Sequence, residues 1–97
     1  MSHRLKFEED ALAEWMHLDK SVRDPLKKKL DKRLEHPRVE NQRLHGLLKN
    51  CYKIKHDKTG HRLIYQVIDD EVIVLVLAIG MRENLEAYFA AEGRLSP

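Results

Sequence analysis

Apolar positions recur along the chain in several rhythms, and each rhythm predicts a different element. Ala11, Leu12, Trp15 and Leu18 fall at helical spacing, which predicts a helix with one apolar stripe. Val22, Leu26, Leu30 and Leu34 stand four apart and predict a second helix. Ser21 is its candidate N-cap, with Pro25 as an alternative mark of the first turn, and His36-Pro37 stops it. Ahead of both helices, Arg4 to Phe7 reads as a short strand. Arg38 to Asn50 is a polar connector, pinned by Leu44 and Leu47 and turning at Gly46.

Strand patterns follow. Tyr52 to His56 and His61 to Ile68 are joined by Asp57-Lys58-Thr59-Gly60, a four-residue hairpin loop. Asp69-Asp70-Glu71 then turns into Val72 to Ile79, a run apolar on both faces, as expected of a central strand covered on both sides. Gly80 is expected to end that strand. Arg82 to Arg94 reads as a helix with Leu85, Tyr88 and Phe89 as its apolar face. The order β-α-α-β-β-β-α describes one α+β domain over residues 1–97. Its small, mostly antiparallel sheet would carry two helices on one face, with a C-terminal helix besides.

Composition narrows the class. An apolar content of 42% with 35% charged residues fits a globular chain. Val72 to Ile79, the longest apolar run, is far short of a membrane span. Ser2, His3, Arg4 and Lys6 interrupt any secretory leader, so a cytoplasmic location without a membrane partner is expected. Cys51 is the lone cysteine, which excludes an internal disulfide and a Cys-based zinc site. His3, His17, His36 and His45 are scattered without metal spacing, so no metal and no other cofactor is expected. Charge is unevenly spread. Phe7 to Asp19 holds five acids and no Lys or Arg, whereas Lys49 to Arg62 holds five bases and one acid. Such a split suits a polyanion on one face.

The hairpin sharpens that suggestion. With Asp57 to Gly60 as the loop, His56 faces His61 and Lys55 lies opposite Arg62, while Lys53 shares the face of Lys55. Cross-strand Cβ atoms lie roughly 5 Å apart, and like charges there are destabilising. Replacing Arg62 by threonine is therefore expected to stabilise the sheet. Cations kept at such a cost read as an anion site, three donors ready for a phosphate. His56 and His61 flank the loop and, as exposed loop-end residues, are expected to be structural or to graze RNA. Trp15 and Cys51 are expected in the core.

The residues also carry a family resemblance. "CYKIK", then "G-x-R-L-I-Y-Q-V-I-D", then "V-I-V-L-V-L-A-I-G-x-R-E", then Tyr88, is similar to the RelE family of bacterial toxins. "LKKKL" at Leu26 to Leu30 and "HPR" at His36 to Arg38 extend the likeness over nearly the whole chain. The resemblance implies a ribosome-dependent endoribonuclease that cleaves mRNA in the ribosomal A site. It implies a RelB-like antitoxin as partner, attack by the RNA's own 2′-hydroxyl, and no metal. The family's working positions map onto Lys53, Lys55, Arg62, Arg82 and Tyr88. Met81 stands where the family often has a base, and Pro25 enters the second helix where a helix former is usual.

The chemistry follows from the residue types. Attack of a 2′-hydroxyl on the adjacent phosphate needs a base, charge stabilisation at phosphoryl oxygens and a proton for the leaving 5′-oxygen. Crowding by Lys53 and Arg62 disfavours the ammonium form of Lys55, which makes Lys55 the candidate base. Arg62 and Lys53 would hold the phosphate, and Arg82 would face the leaving oxygen as acid or, physically easier for a guanidinium, as charge stabiliser. Tyr88 would stack on a base or polarise the 2′-hydroxyl. Two alternatives stand beside this reading: a gyrase-directed toxin of the related ParE type, and a plain RNA-binding module. An antitoxin is expected to act by displacing the C-terminal helix.

Overall fold

Strand β1, Arg4–Phe7, is followed by helix α1, Glu9–Met16, and helix α2, Lys20–Glu35, in a computed structural model that describes residues 2–97. Strands β2, Cys51–His56, β3, His61–Ile68, and β4, Ile73–Met81, come next, and helix α3, Glu86–Glu92, closes the order. The strands form one sheet in the order β1-β4-β3-β2. β1 runs parallel to β4, and the other two pairings are antiparallel. The α+β architecture and its element order match the sequence expectation. Among the described residues, no helix is long and apolar enough to cross a membrane.

Two cores sandwich the sheet. Ala11, Trp15, Val22, Leu26 and Leu30 of the first two helices pack on Tyr52, Ile54, Leu63, Tyr65, Val74 and Val76. On the opposite face Ala87 and Ala91 of α3 pack on Cys51, Ile64, Leu77 and Ala78, together with Leu48. β4 therefore carries apolar side chains both ways, as its sequence predicts. A register shift between Ile64 and Tyr65 makes room for Leu77 on the α3 face beside Ala78.

Several boundaries differ from expectation, each for a local reason. Asp19, not Ser21, caps α2: its carboxylate accepts from Ser21 N at 3.0 Å and from the Ser21 hydroxyl. Pro25 then lies inside the helix rather than at its first position. The bond it cannot donate would have gone to the Ser21 carbonyl, on an exposed turn where water can replace it. Leu48, 4% exposed, pins the connector, whereas Leu47 is 72% exposed. Gly80 does not end β4, which runs on to Met81. A Cβ at Gly80 would stand 3.1 Å from Glu86 Oε1 and 3.4 Å from Ala87 N, so the glycine admits the first turn of α3 onto the strand. That turn also starts later than expected. A short 3₁₀ turn, Glu83–Leu85, comes first, with Asn84 at φ 58° and Leu85 at φ 55°. The helix accordingly buries Ala87 and Ala91, leaving Leu85 exposed and Phe89 62% exposed.

Candidate active site

Alternation along β2 decides which way its lysines look. Tyr52 and Ile54 enter the core under α1 and α2, and Cys51 enters the core under α3. Lys53 and Lys55 share the Cys51 side of the strand, and Arg62, the register partner of Lys55, shares it too. The edge of β2 explains why the pair is close. Arg33 Nη1 donates to the Lys53 carbonyl at 3.0 Å, and Lys29 Nζ to the Lys55 carbonyl at 2.7 Å. Both carbonyls thus point off the sheet, and Lys55 and Arg62 form a non-hydrogen-bonded pair, the kind with Cα atoms roughly 4.5 Å apart. The predicted hairpin register is the observed one.

Arg62 is not an unrelieved cation, however. Its side chain is 8% exposed, and its Nη2 lies 3.1 Å from Asp57 Oδ1. Nη1 donates to the His61 carbonyl at 3.0 Å. The one acid of the basic stretch therefore meets the best-buried base, and the expected gain from Arg62→Thr does not hold: the change would delete both contacts. Sequence reasoning missed Asp57 because it lies in the loop rather than opposite on a strand. Its signal was its isolation among five bases. Lys53, Lys55 and Arg82 form no ion pair among the described residues.

Arg82 and Tyr88 complete the set from the other side of the hairpin. Arg82 N donates to the Gly60 carbonyl at 2.9 Å, so the end of β4 is tied to the hairpin loop. Gly60 has φ +84°, and a Cβ there would lie 3.9 Å from Arg82 Cγ and 4.0 Å from its Nε. The Arg82 side chain thus passes beside the glycine that precedes His61 and Arg62. Tyr88 is half-buried against the α3 core, which includes Ile64. Ile64 is the register partner of Lys53, so the tyrosine covers the face that carries the lysines. Lys53, Lys55, Arg62 and Arg82 share one corner of the sheet, and Tyr88 packs on the same face.

The neighbouring groups have clear chemical characters. His56 is buried, not exposed as expected of a loop end, because alternation puts it on the Tyr52 and Ile54 side of β2. It pairs with His61, whose Nδ1 lies 2.7 Å from Thr59 Oγ1. Burial holds the His61 ring below its usual range, with His56 adding to the effect and Glu86 opposing it. The Cys51 thiol is pushed up to about 12 by burial, which makes it inert as a nucleophile. The corner is therefore cationic, amine- and guanidinium-rich, and suited to one anion.

Comparison with known proteins agrees with the overall fold. Residues 5–86 match the family described as the ParE toxin of type II toxin–antitoxin systems. The chain is 48% identical to the mRNA interferase toxin RelE of Escherichia coli K12, over 98% of this chain and 99% of that protein. A double-arginine mutant of the E. coli toxin RelE in the free state superposes with a TM-score of 0.90 at 47% identity, covering 99% of this chain and 100% of that one. The intact E. coli RelBE toxin–antitoxin complex matches with a TM-score of 0.81 at 49% identity, over 84% of this chain and 99% of the matched chain.

Proposed function

The chain belongs to the ParE/RelE family of type II toxin–antitoxin toxins, and on that premise we propose that it is a cytoplasmic mRNA interferase. Its substrate is mRNA held in the ribosomal A site, and its inhibitor is a RelB-like antitoxin. The observation that carries this reading is the gathering of Lys53, Lys55 and Arg62 on one sheet face, with Arg82 at its end and Tyr88 packed on the same face.

Cleavage proceeds by transfer within the RNA. Lys55 accepts the proton of the 2′-hydroxyl as its oxygen bonds to the adjacent phosphorus. Lys53 and Arg62 hold the phosphoryl oxygens as negative charge develops there. The bond from phosphorus to the 5′-oxygen breaks, leaving a 2′,3′-cyclic phosphate and a 5′-hydroxyl. Arg82 stabilises the leaving oxygen until water protonates it to the 5′-hydroxyl, since guanidinium is a strong charge partner and a poor acid. Tyr88 orients the attacking ribose or stacks on its base. Amine and guanidinium groups make a weak acid–base pair, so the ribosome must supply geometry. Positioning of that kind lowers a barrier by about 7 to 11 kcal/mol.

The test is to map mRNA cut sites in translating ribosomes with and without the protein. Lys55→Ala and Arg82→Ala are each expected to lower cleavage by about 100-fold or more while the protein stays folded. Wild-type rates in either folded variant would remove that residue from the mechanism. The matched family description also names ParE, and a gyrase-directed action would give the four cations no task. Intact mRNA together with inhibited gyrase would favour it.

A further inference from the structure

Among the described residues, Arg62 is the one cation of the corner's four that carries a carboxylate, and that carboxylate is built for release. Asp57 makes a single contact to Arg62 Nη2, and its side chain is 67% exposed. The hairpin does not depend on it: Thr59 N and Gly60 N close the turn on the His56 carbonyl at 3.3 and 2.9 Å. Arg62 itself is fixed from the other side by the His61 carbonyl and is almost fully covered. A phosphate that reaches this guanidinium arrives at donors that Asp57 already occupies.

We propose that Asp57 is a placeholder for the substrate phosphate, an internal anion that RNA must displace from Arg62 before it can be cleaved. The inference rests on the mRNA-cleavage reading and concerns how that site chooses its substrate. A carboxylate and a phosphodiester each carry one negative charge and compete for the same N–H groups. Asp57 wins against a phosphate that visits Arg62 alone. It loses to one delivered simultaneously to Lys53, Lys55 and Arg62, where three cations act together. Loose RNA is thereby turned away, and RNA held in the right geometry is accepted. Asp57 also keeps the guanidinium oriented and desolvated between encounters, so that the exchange swaps one oxygen for another with little rearrangement. It is a specificity-determining residue and contributes no proton to the reaction.

The experiment compares wild type with Asp57→Asn, which keeps the turn residue and the shape but removes the charge. The probe for binding is a short 2′-O-methyl oligoribonucleotide, which cannot be cleaved, followed by fluorescence anisotropy in the absence of ribosomes. The variant is expected to bind it roughly two- to fivefold more tightly, the range set by losing one largely exposed ion pair. The slope of log affinity against log salt is expected to steepen by about 0.7, one extra phosphate contact on a single strand. On mRNA-programmed ribosomes the gain is expected in KM. Asp57→Ser, a second neutral turn residue, is expected to reproduce both shifts, which separates loss of charge from any change in the loop. Unchanged affinity and salt slope in two folded variants would overturn the proposal. So would a lower kcat at unchanged KM, the signature of a residue that only positions Arg62. Failure of the cleavage reading itself looks different: wild type would then leave programmed mRNA intact, whatever the oligonucleotide reports about Asp57.

Discussion

The guanidinium of Arg62 has two partners and one repelling neighbour, and their balance decides what a substitution there does. Threonine would relieve the charge opposite Lys55, but it would lose the bond to the His61 carbonyl and the Asp57 pair. Arg62→Thr is therefore expected to destabilise the domain by about 1 kcal/mol, read as a lower thermal midpoint, as well as impairing cleavage. His61 supplies a pH dependence. Its ring is held below the ordinary value of 6.5, first by burial and then by His56, so the fold favours the neutral form. The stability from this site is fully present above pH 6.5 and is lost as pH falls through the lowered value. Midpoints recorded against pH should decline on that side, and His61→Gln should flatten the decline. The candidate residues were legible because strand alternation and a short loop fix a register. Asp57 was not, because nothing in a two-residue period says where a loop carboxylate will turn.

Elements were legible where large side chains set the rhythm and were misread where small ones did. α2 announces itself through Val22, Leu26 and Leu30, all buried. α3 does not, because its packing face is Ala87 and Ala91, while the conspicuous Leu85 and Phe89 point outward. Gly80 lets the helix backbone at Ala87 come close to the strand, which a side chain at position 80 would obstruct. In the connector two adjacent leucines of equal size gave the pattern nothing to choose between, and Leu48 rather than Leu47 is the buried one. The junction before α3 also stores strain that no hydrophobic pattern reveals. Leu85 sits at φ 55°, a conformation that costs a non-glycine residue about 1 to 2 kcal/mol. Leu85→Gly is expected to stabilise the domain in denaturant titrations, by about 0.5 to 1 kcal/mol, since glycine's greater unfolded-state freedom offsets part of the relief. An unchanged or lower midpoint would mean that Leu85 contributes packing despite its exposure.

Across the whole molecule, the C-terminal segment is tied down more firmly than the sequence suggests. Arg94 makes a two-bond fork with Glu14, at 2.9 and 3.0 Å, and its Nη1 also donates to the Leu77 carbonyl at 3.0 Å. Glu14 in turn accepts from Ile79 N at 3.0 Å. β1 pairs only with Ile73 to Val76, so these side chains close the part of the β4 edge that β1 leaves open. Ser96 and Gln66 exchange a further pair of bonds, at 2.9 and 3.1 Å. An antitoxin that displaced α3 would have to work against this anchorage, which weakens the expectation of easy release. Arg94→Met is expected to cost about 2 kcal/mol in equilibrium unfolding, because it strands a partly buried carboxylate and a strand carbonyl. The same anchorage ties the beginning of the chain to its end. Arg94 and Glu14 are separated by 80 positions, and β1 docks beside β4 only after β2 and β3 have been made. Such non-local pairings form late and slowly. Helix α1 therefore waits, with Glu14 unpartnered, until Ile79 and Arg94 have followed it into place.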